Sequence, residues 1–464
     1  MTPRLKSIIS EDRNFTDNEV AEIIDNSPQK HKEAGFEKGW PSRFDTWYKL
    51  AMEFGFVYYA IGDPIVVSTT GHMLVDAYNE NPINDEKIKN VFQNALVKYQ
   101  TNNPFRKTLN ANAPLVLLLQ VLKLLKDDPE ETDAGIFRSE LSLLICWQDN
   151  DANALYKRIK ELRHQYRFTY GDEVIYDICL ELLGATREQS SRVKMNQITG
   201  EAVDEFIREM RITGIVSLRG NGRFIDFNTF ESEKIQYILD NYGTYEQYQD
   251  KLLYFNYMGT IDANIVSMVP QVNEEEINDI RIATLNRWAT DNSKEFIISE
   301  LDLMCRNGES RNPVLRIIDK PTRFEFLISI ALKQNFEGLL VKPNYHVDDE
   351  GLPTFTASGG LADIECFDTD CNPLVEVTLM CARNQATNEM PAITRHLQEA
   401  IAKYPGITVF SILVASSIHA DTMYMAGFSK FQYGVDIIPL TINGFIELLK
   451  TNDHIISLLK GEKV

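Results

Sequence analysis

The sequence of 464 residues is poor in cysteine, and its six cysteines are scattered with no Cys-x-x-Cys pair. This spacing excludes a disulfide scaffold and a zinc ribbon, and it is typical of a protein from a reducing compartment. Long apolar runs are also absent, because the longest stretch, Ala113 to Leu125, is interrupted by Gln120 and Lys123 and is too short to span a bilayer. The start of the chain carries positive charge with no apolar segment behind it. We therefore expect no secretory signal, no membrane partner and a cytoplasmic location.

Positive charge is scarce as well: 47 Lys and Arg residues face 67 Asp and Glu residues, and the net charge is -20 at pH 7. Proteins that coat nucleic acid without regard to sequence need a cationic surface. Neither residues 1–300 nor residues 301–464 are net positive. Any affinity for DNA must therefore come from local patches and from contacts to bases. The length itself fits about three domains of ~150 residues each.

Two stretches of the first half have the order helix, turn, β-hairpin, which is typical of a winged-helix module. The first begins near Gly39, with a helix from Ser42 to Phe54 that stops at Gly55. Its two short strands are expected at 56–59 and 65–68. The pattern predicts a first winged-helix-like module within the first hundred residues.

The second winged-helix pattern has an amphipathic helix at Glu201–Arg211 and strands at 215–219 and 223–227. The strands flank Gly220-Asn221-Gly222, and Asn-Gly is a strong hairpin signal because both residues tolerate a positive φ. We expect two basic residues at the tip of this wing, namely Arg219 and Arg223.

Helical patterns lie between the two winged-helix patterns. Ala113–Leu125 and Glu140–Trp147 are too densely apolar for surface helices, which indicates burial on several sides. Asp151–Arg167 is amphipathic and rich in basic residues. Such a run is usually a solvated helix face, and the alternative is a phosphate-binding surface. The residues considered for that second role are Lys157, Arg158, Arg163 and Arg167.

From Pro321 onward, helices and strands are mixed, which predicts a small mixed sheet with flanking helices. The expected elements are a helix at Arg323–Leu332, strands at Leu361–Phe367 and Leu374–Met380, a helix at Pro391–Lys403, a strand at Ile407–Ile418 and a closing helix at Thr441–Leu449.

Two carboxylates in this last region are candidates for a metal site. Asp363 begins one predicted strand, and Glu376 lies inside the next one, between two valines. A glutamate in the middle of a strand is poorly explained by β-propensity. Antiparallel pairing through the turn 368–372 would bring both carboxylates to one edge, where they suit a hard cation such as Mg²⁺. The alternative is an edge hairpin with solvated acids.

Three further residues fit the same site. Glu325 lies between two phenylalanines on the preceding helix, an unusual place for a carboxylate unless it faces a polar site. Glu389 precedes a helix that begins with proline, and His396 follows on roughly the same face. A third or fourth carboxylate would allow a second metal ion. A histidine would serve as general base or phosphate contact.

The order Asp, Glu, x, Lys is the pattern of the PD-(D/E)xK nucleases, and Thr378 stands here where the lysine belongs. The block that contains these residues resembles the cleavage domain of the AlwI-type family of type II restriction endonucleases and their strand-specific nicking relatives, in which the Glu-Val-Thr strand also lacks the lysine. The resemblance covers most of the chain from about residue 39 and is strongest over 320–400. It is carried by Arg323-Phe-Glu325, Gly359-Gly-Leu-Ala-Asp363, Val375-Glu-Val-Thr378, Glu389, His396, Asn103-Pro-Phe-Arg106 and Ala113-Pro-Leu-Val116.

The resemblance implies a multidomain fold: a helical and winged-helix (α+β) DNA-recognition half, followed by an α/β PD-(D/E)xK restriction-endonuclease-like domain. The expected segments are two recognition modules at 1–100 and 101–243, a helical linker at 244–310 and the cleavage domain at 311–464. The implied activity is Mg²⁺-dependent cutting of double-stranded DNA outside a short asymmetric site, with one or two metal ions.

By the same resemblance, the acidic positions of the site are Glu325, Asp363, Glu376 and Glu389, and His396 is the histidine that follows them. Asp363, Glu376 and Glu325 are the expected metal ligands. The resemblance also implies a cognate methyltransferase in the same system. Because one active site cuts one strand, a transient homodimer or a second subunit would be needed to cut both.

Several other functions fit the sequence. A protein that cannot pair would be a strand-specific nicking endonuclease. The absence of the lysine favours a different class, a catalytically inactive winged-helix DNA-binding regulator. A nuclease acting on RNA or on a particular nucleic-acid structure is a further alternative, against which the sequence shows no aromatic stacking platform.

Overall fold

The computed structural model describes residues 48–59, 64–80, 83–131, 135–189, 193–270, 272–306 and 308–460, together with Thr16 and Asn18. The expectations for Gly39 and Ser42 fall outside these residues. The chain forms two compact units. We call residues 1–216, 224–227 and 231–270 the N-terminal unit, and residues 217–223, 228–230 and 271–464 the C-terminal unit. Across the described ranges, no helix has the length and apolarity needed to cross a membrane.

The first predicted hairpin is present in the N-terminal unit. Helical residues 48–53 end at Gly55, whose φ of 70° is the left-handed conformation expected at a helix stop. A Cβ on Gly55 would lie 2.4 Å from Met258 Cβ, so this position needs glycine. Strands β1 (Val57–Tyr58) and β2 (Val66–Val67) then pair antiparallel. The predicted element order is confirmed, with shorter strands.

Helices make up most of the rest of this unit. Helix α3 (Pro114–Asp127) is buried over most of its surface, as its apolar density predicts. On helix α5 (Ala152–Tyr166), the predicted inner face of Leu155, Ile159 and Leu162 is buried. Besides the helical residues 48–53, the helices in the described part of the unit are α1 (Thr69–Asn79), α2 (Asp85–Leu96), α3 (Pro114–Asp127), α4 (Leu141–Cys146), α5 (Ala152–Tyr166), α6 (Asp172–Leu182), α7 (Ala202–Arg211), α8 (Ser232–Asn241), α9 (Lys251–Met258) and α10 (Ala263–Ser267).

The second predicted wing also has its expected strands. Strand β3 (Ile136–Phe137) pairs antiparallel with β5 (Phe224–Phe227). Strand β4 (Val216–Arg219) precedes the turn at 220–222, in which all three residues have positive φ. The Asn-Gly signal therefore identified the turn correctly. A separate core of this unit packs Phe56, Val91 and Phe105 against Tyr254 and Phe255 of α9.

The C-terminal unit is built around a five-stranded mixed sheet in the order β12-β11-β10-β9-β6. Strands β10, β11 and β12 are parallel, whereas β9 is antiparallel to both β10 and β6. These strands are β6 (Leu340–Pro343), β9 (Ile364–Phe367), β10 (Leu374–Thr378), β11 (Ser411–Ala415) and β12 (Ile437–Thr441). A separate hairpin pairs β7 (His346–Val347) with β8 (Pro353–Phe355).

Helices flank this sheet, and the mixed α/β architecture agrees with the prediction from Pro321 onward. Helix α13 packs on β6, and its residues from Thr322 to Leu332 are all buried. The helices are α11 (Glu274–Asp291), α12 (Lys294–Cys305), α13 (Lys320–Asn335), α14 (Met390–Lys403), α15 (Ala420–Tyr433), α16 (Ile442–Thr451) and α17 (Ser457–Lys460).

Candidate active site

Asp363 and Glu376 meet across the β9–β10 pair. The antiparallel register sets Ile364 opposite Val375, so Asp363, which comes just before β9, lies beside Glu376. The Val377 amide donates to Asp363 Oδ2 at 2.7 Å, and the Asp363 amide lies 3.3 Å from Glu376 Oε2. Each carboxylate is thus held by the backbone of the other strand. Glu376 is buried, which excludes the alternative of a solvated edge hairpin.

Glu325 reaches this area from α13. Its carboxylate is buried, and its Oε2 accepts a hydrogen bond from the Ala357 amide at 3.0 Å. Ala357 belongs to the segment that leads from β8 to Asp363. The expectation that Glu325 faces a polar site rather than the surrounding phenylalanines agrees with this contact.

Thr378 and Glu389 form the third contact of the site. Thr378 Oγ1 donates to Glu389 Oε1 at 2.8 Å and accepts from the Met380 amide at 3.0 Å. Glu389 ends a π-helical turn at Gln385–Glu389, just before α14. Ala382, which precedes this turn, has a φ of 57°, a strained conformation for a residue other than glycine. Strain and π-helical turns of this kind are frequent at functional sites.

His396 is joined to the acid pair. Its Nδ1 lies 2.9 Å from Glu376 Oε1, and its side chain is buried on the inner face of α14. The other ring nitrogen, Nε2, is buried with no hydrogen-bond partner in the structure. A histidine whose Nδ1–H donates to a carboxylate keeps an unshared electron pair on Nε2 and can accept a proton there.

The carboxylates repel one another. Burial raises the pKa of Asp363 well above that of an ordinary aspartate, and the carboxylates of Glu325, Glu376 and Glu389 raise it further. The hydrogen bond from the Val377 amide opposes this rise. Burial also raises the pKa of Glu389, and the Thr378 hydroxyl partly offsets it. The donors of the site therefore offset only part of the burial and of the repulsion between its carboxylates.

A divalent cation fits this donor set. Mg²⁺ takes hard oxygen ligands, and protein sites often supply only one or two carboxylates, leaving other positions to water and phosphate. Asp363 and Glu376 provide such a pair. Among the residues that the structure describes, no three His, Cys, Asp or Glu side chains are arranged around one ion position. The fit therefore rests on the pair and on its chemistry.

Two amide side chains also shape the site, the buried Gln385 and the half-buried Asn344. Gln385 accepts from Thr422 Oγ1 at 2.7 Å and from the His419 amide at 3.1 Å, and so ties the π-helical turn to the start of α15. Asn344 donates to the Ala362 carbonyl, and its amide donates to the Asp363 carbonyl at 2.9 Å. The sequence does not predict these contacts, because the partners lie in other elements and come close only in the folded chain.

The basic residues expected to contact phosphates have different surroundings. Lys157, Arg167 and Arg223 are exposed, and Arg158 is half-buried. In contrast, Arg163 is buried: its guanidinium binds Glu140 through two nitrogens at 2.7 Å, Glu131 at 2.8 Å and the Gly135 carbonyl. An internal ion-pair network therefore holds Arg163, and its guanidinium is not presented to a phosphate.

Arg219 also has protein partners. Within the C-terminal unit its guanidinium binds Asp349 at 2.6 Å and Glu350 at 2.7 Å. These two carboxylates bind the guanidinium nitrogens of Arg219 that a phosphate would otherwise bind. Arg163 and Arg219 therefore leave the set of candidate phosphate contacts.

The family of the chain follows from a comparison with protein-family models. The model described as AlwI restriction endonuclease matches residues 52–259 and 255–448, most of the chain. The chain belongs to the AlwI restriction endonuclease family. As a member it is a restriction endonuclease, and the resemblance noted in the sequence is confirmed.

Comparison with solved structures gives restriction endonucleases at low similarity. The small subunit R.BspD6I2 of the heterodimeric restriction endonuclease R.BspD6I is 25% identical over 36% of this chain and 84% of that chain, with a TM-score of 0.29. Restriction endonuclease FokI is 10% identical over 98% and 93%, with a TM-score of 0.28, and its DNA-bound form 12% identical over 94% and 84%, with a TM-score of 0.27. Scores of this size do not assign this chain the subunit arrangement of those proteins. The search of curated proteins gave no match.

Proposed function

We propose that this chain is a type II restriction endonuclease of the shifted-cleavage kind, which hydrolyses DNA phosphodiesters outside a short asymmetric site with the help of Mg²⁺. The observation that carries the proposal is the convergence of Asp363 and Glu376 on adjacent strands, with Glu325, Glu389 and His396 around them. A decayed nuclease fold has no physical reason to keep five such groups together.

The residues of the chain have distinct roles in this proposal. Asp363 and Glu376 would hold the cation, and Glu325, expected from the sequence as a third ligand, would add negative charge beside this pair. Bound Mg²⁺ would supply positive charge to the scissile phosphate and make a water more acidic. His396, oriented by Glu376, accepts a proton at Nε2 or contacts the phosphate. Glu389 stays beside the pair through its hydrogen bond to Thr378.

DNA is positioned by local basic groups, since the chain as a whole is acidic. Lys157, Arg158, Arg167 and Arg223 remain the proposed phosphate contacts, which set the register without reading sequence. The winged-helix-like modules are the proposed readers of bases. The net charge of -20 would limit nonspecific binding and increase the dependence on the cognate site.

The number of strands cut depends on the partner. One site per chain cuts one strand, so double-strand cleavage needs a transient homodimer or a second subunit, and a chain that acts alone is a nicking enzyme. A cognate methyltransferase is the proposed partner for protection of host DNA.

The first test uses supercoiled plasmid and a long linear DNA with Mg²⁺ or EDTA. Discrete linear fragments that require Mg²⁺ are the expected result, and sequencing of the ends gives the site and the offset. Open circles without linear product would indicate the nicking alternative. Tight specific binding without any cutting would favour the inactive regulator and contradict the proposal.

The second test replaces Asp363 by Asn and Glu376 by Gln in separate full-length variants. We expect cleavage to fall by at least about 10²-fold, because the groups that hold positive charge at the phosphate are lost. Binding to the mapped site in EDTA should change little. The matched control is Glu365→Gln, a half-buried glutamate on β9 outside the acid cluster, which should cut normally. If Asp363→Asn cuts at the wild-type rate, the active site is misassigned.

A further inference from the structure

The loop at 101–112 in the N-terminal unit is irregular backbone held in one conformation. Thr101 Oγ1 donates to the Asn110 and Asn112 carbonyls at 3.1 and 3.2 Å. Asn103 Oδ1 accepts the amides of Phe105 and Arg106. Loops on protein surfaces are usually the mobile parts. A loop held by several internal hydrogen bonds presents its side chains in fixed positions, and this reduces the entropy that is lost on binding.

Leu109 projects from this loop. Its side chain is 77% exposed, although it is large and apolar. Its neighbours have internal partners instead: Thr108 Oγ1 donates to the Asn110 carbonyl at 2.8 Å, and the Asn110 side chain donates to the Ile145 carbonyl at 2.9 Å. Leu109 therefore adds little to the apolar core of the unit, and the loop holds it outward. Apolar side chains presented in this way act as wedges between base steps in many DNA-binding proteins.

Arg106 lies three residues before Leu109 and is oriented from behind. Its Nε donates to Glu53 Oε1 at 3.0 Å, and Glu53 is fully buried and also accepts from the Tyr99 hydroxyl at 3.1 Å. The Arg106 side chain itself is half exposed. A guanidinium fixed on one edge by a buried carboxylate presents its remaining donors to solvent in a set direction. Phosphate oxygens are well matched to such a fork.

Two more cations border the same loop. Lys107 is exposed beside Arg106, and Lys251 at the start of α9 places its Nζ 5.7 Å from the centre of the Phe105 ring. Acidic groups are also near, since Glu209 interacts electrostatically with Arg106 and Asp250 precedes Lys251. The loop thus presents cationic side chains beside an exposed apolar one, with carboxylates behind and around them.

We propose that loop 101–112 is a DNA-contacting element, in which Arg106 and Lys107 bind backbone phosphates and Leu109 wedges against the bases in a groove. The proposal rests on the proposed function and adds a contact element outside the winged-helix-like modules and the helix α5 cations. The ligand is duplex DNA. The wedge would unstack a base step, while the cations set the position of the loop on the backbone.

The experiment compares full-length Leu109→Ala and Arg106→Gln with wild type on a duplex that carries the mapped cleavage site, with 2-aminopurine at positions along it. Binding is followed by fluorescence anisotropy in EDTA over a range of salt, and unstacking by the 2-aminopurine signal. Matched controls from the same unit are Val269→Ala, an apolar side chain that is 68% exposed, and Arg187→Gln, an exposed arginine paired with Glu173 and Asp177.

For Leu109→Ala we expect about 10-fold weaker binding, loss of the 2-aminopurine rise and an unchanged salt dependence. For Arg106→Gln we expect weaker binding and a salt slope shallower by about 0.9, the effect of one lost phosphate contact. Both controls should match wild type. If wild type binds and cuts while both variants behave like it in every readout, the loop proposal is overturned and the proposed function stands. A wild-type protein that neither binds nor cuts DNA overturns both.

Discussion

At the scale of single residues, Thr378 is the place where the candidate site departs from the PD-(D/E)xK pattern. Its hydroxyl does not replace a lysine charge. Instead it donates to Glu389 and so holds a fourth carboxylate next to the pair formed by Asp363 and Glu376. Where the PD-(D/E)xK pattern has a lysine charge, this site has a hydrogen bond that holds a further carboxylate in place. In the proposed mechanism, this would make the site more dependent on a bound cation.

We predict that Thr378→Val lowers the cleavage rate by about 10-fold or more, whereas Thr378→Ser retains it. Valine has the same shape but no hydroxyl, so Glu389 loses its donor. The measurement is single-turnover cleavage of the mapped duplex, with binding in EDTA as the readout for intact recognition. Equal rates for the valine and serine variants would remove Thr378 from any role in positioning.

Arg163 gives a second prediction at this scale, because the sequence suggested a phosphate contact and the structure places it in an internal network. Replacing it with leucine leaves Glu140 buried without a cation. We expect a loss of about 3–5 kcal/mol in the free energy of unfolding. Arg167→Leu, four residues further on and exposed, should change stability little. Urea denaturation of both variants checks this, and similar stabilities would contradict the structural role of Arg163.

At the scale of elements, the carboxyl end of helix α9 is stabilised by Lys98, which lies just after helix α2. Lys98 is buried, and its Nζ donates to the Met258 carbonyl at 2.8 Å and to the Thr260 carbonyl at 2.6 Å. The last carbonyls of a helix have no partners within it. Lys98 therefore completes α9 in a place where water cannot.

We predict that Lys98→Met destabilises the protein by about 1–3 kcal/mol, because buried carbonyls lose their donor. The effect should be larger at pH 9 than at pH 7. Burial lowers the pKa of Lys98 to about 7, although Asp262 opposes the shift, so the unfolded chain binds more protons than the folded chain above this pH. Wild type thus gains stability from this group as the pH rises, and the methionine variant does not. Thermal unfolding at the two pH values tests it, and a constant difference would argue against the lowered pKa.

Some elements of the C-terminal unit could be predicted from the sequence, and others could not. The acid pair could be predicted, because strand pairing through the short turn at 368–372 fixes which residues are neighbours. Helix α15 was missed, since its buried face consists of Thr422, Ala426 and Ser429, small residues without an apolar period. Strand β12 was also missed; it is an edge strand that contains Pro439, and proline lowers the expectation of a strand.

The burial of Arg163 could not be predicted from the sequence either. Its position on the amphipathic pattern of α5 next to Leu162 gives no information about Glu140, which is distant in sequence and enters through tertiary packing. Local patterns predict elements and their neighbours along the chain. Partners brought in from other elements decide which charged residues face water.

At the scale of the whole molecule, the C-terminal unit is assembled from separate stretches of the chain. The Asp349 side chain is 6% exposed and accepts hydrogen bonds from Ser217, from Arg219 at 2.6 Å and from both the amide and the hydroxyl of Thr229. These contacts lower the pKa of Asp349 although burial acts to raise it. The donors come from 217–230, far from the rest of the unit in sequence.

We predict that a fragment of residues 271–464 is less stable than the same unit in the intact chain, because Asp349 is left without those donors. The diagnostic is the effect of Asp349→Asn, which should largely disappear in the fragment. In the full chain it should destabilise by about 1.5–3 kcal/mol, since charged hydrogen bonds are lost. In the fragment it should change stability little, because the loss of 217–230 removes the donors and opens the Asp349 carboxylate to water. Thermal unfolding of the four proteins decides, and an equal loss of stability in both contexts would contradict the argument.

The interleaved order of the two units also bears on how a gene of this kind can exchange parts. A single recombination breakpoint between residues 231 and 270 would separate 217–223 and 228–230 from the remainder of the C-terminal unit. A breakpoint upstream of 217 keeps that unit whole but carries away α9, whose Tyr254 and Phe255 belong to the core of the N-terminal unit. No single crossover passes between the units without damaging one of them. In proteins of this architecture, a new target site would therefore arise by amino-acid substitutions within the existing fold rather than by exchange of whole domains through recombination.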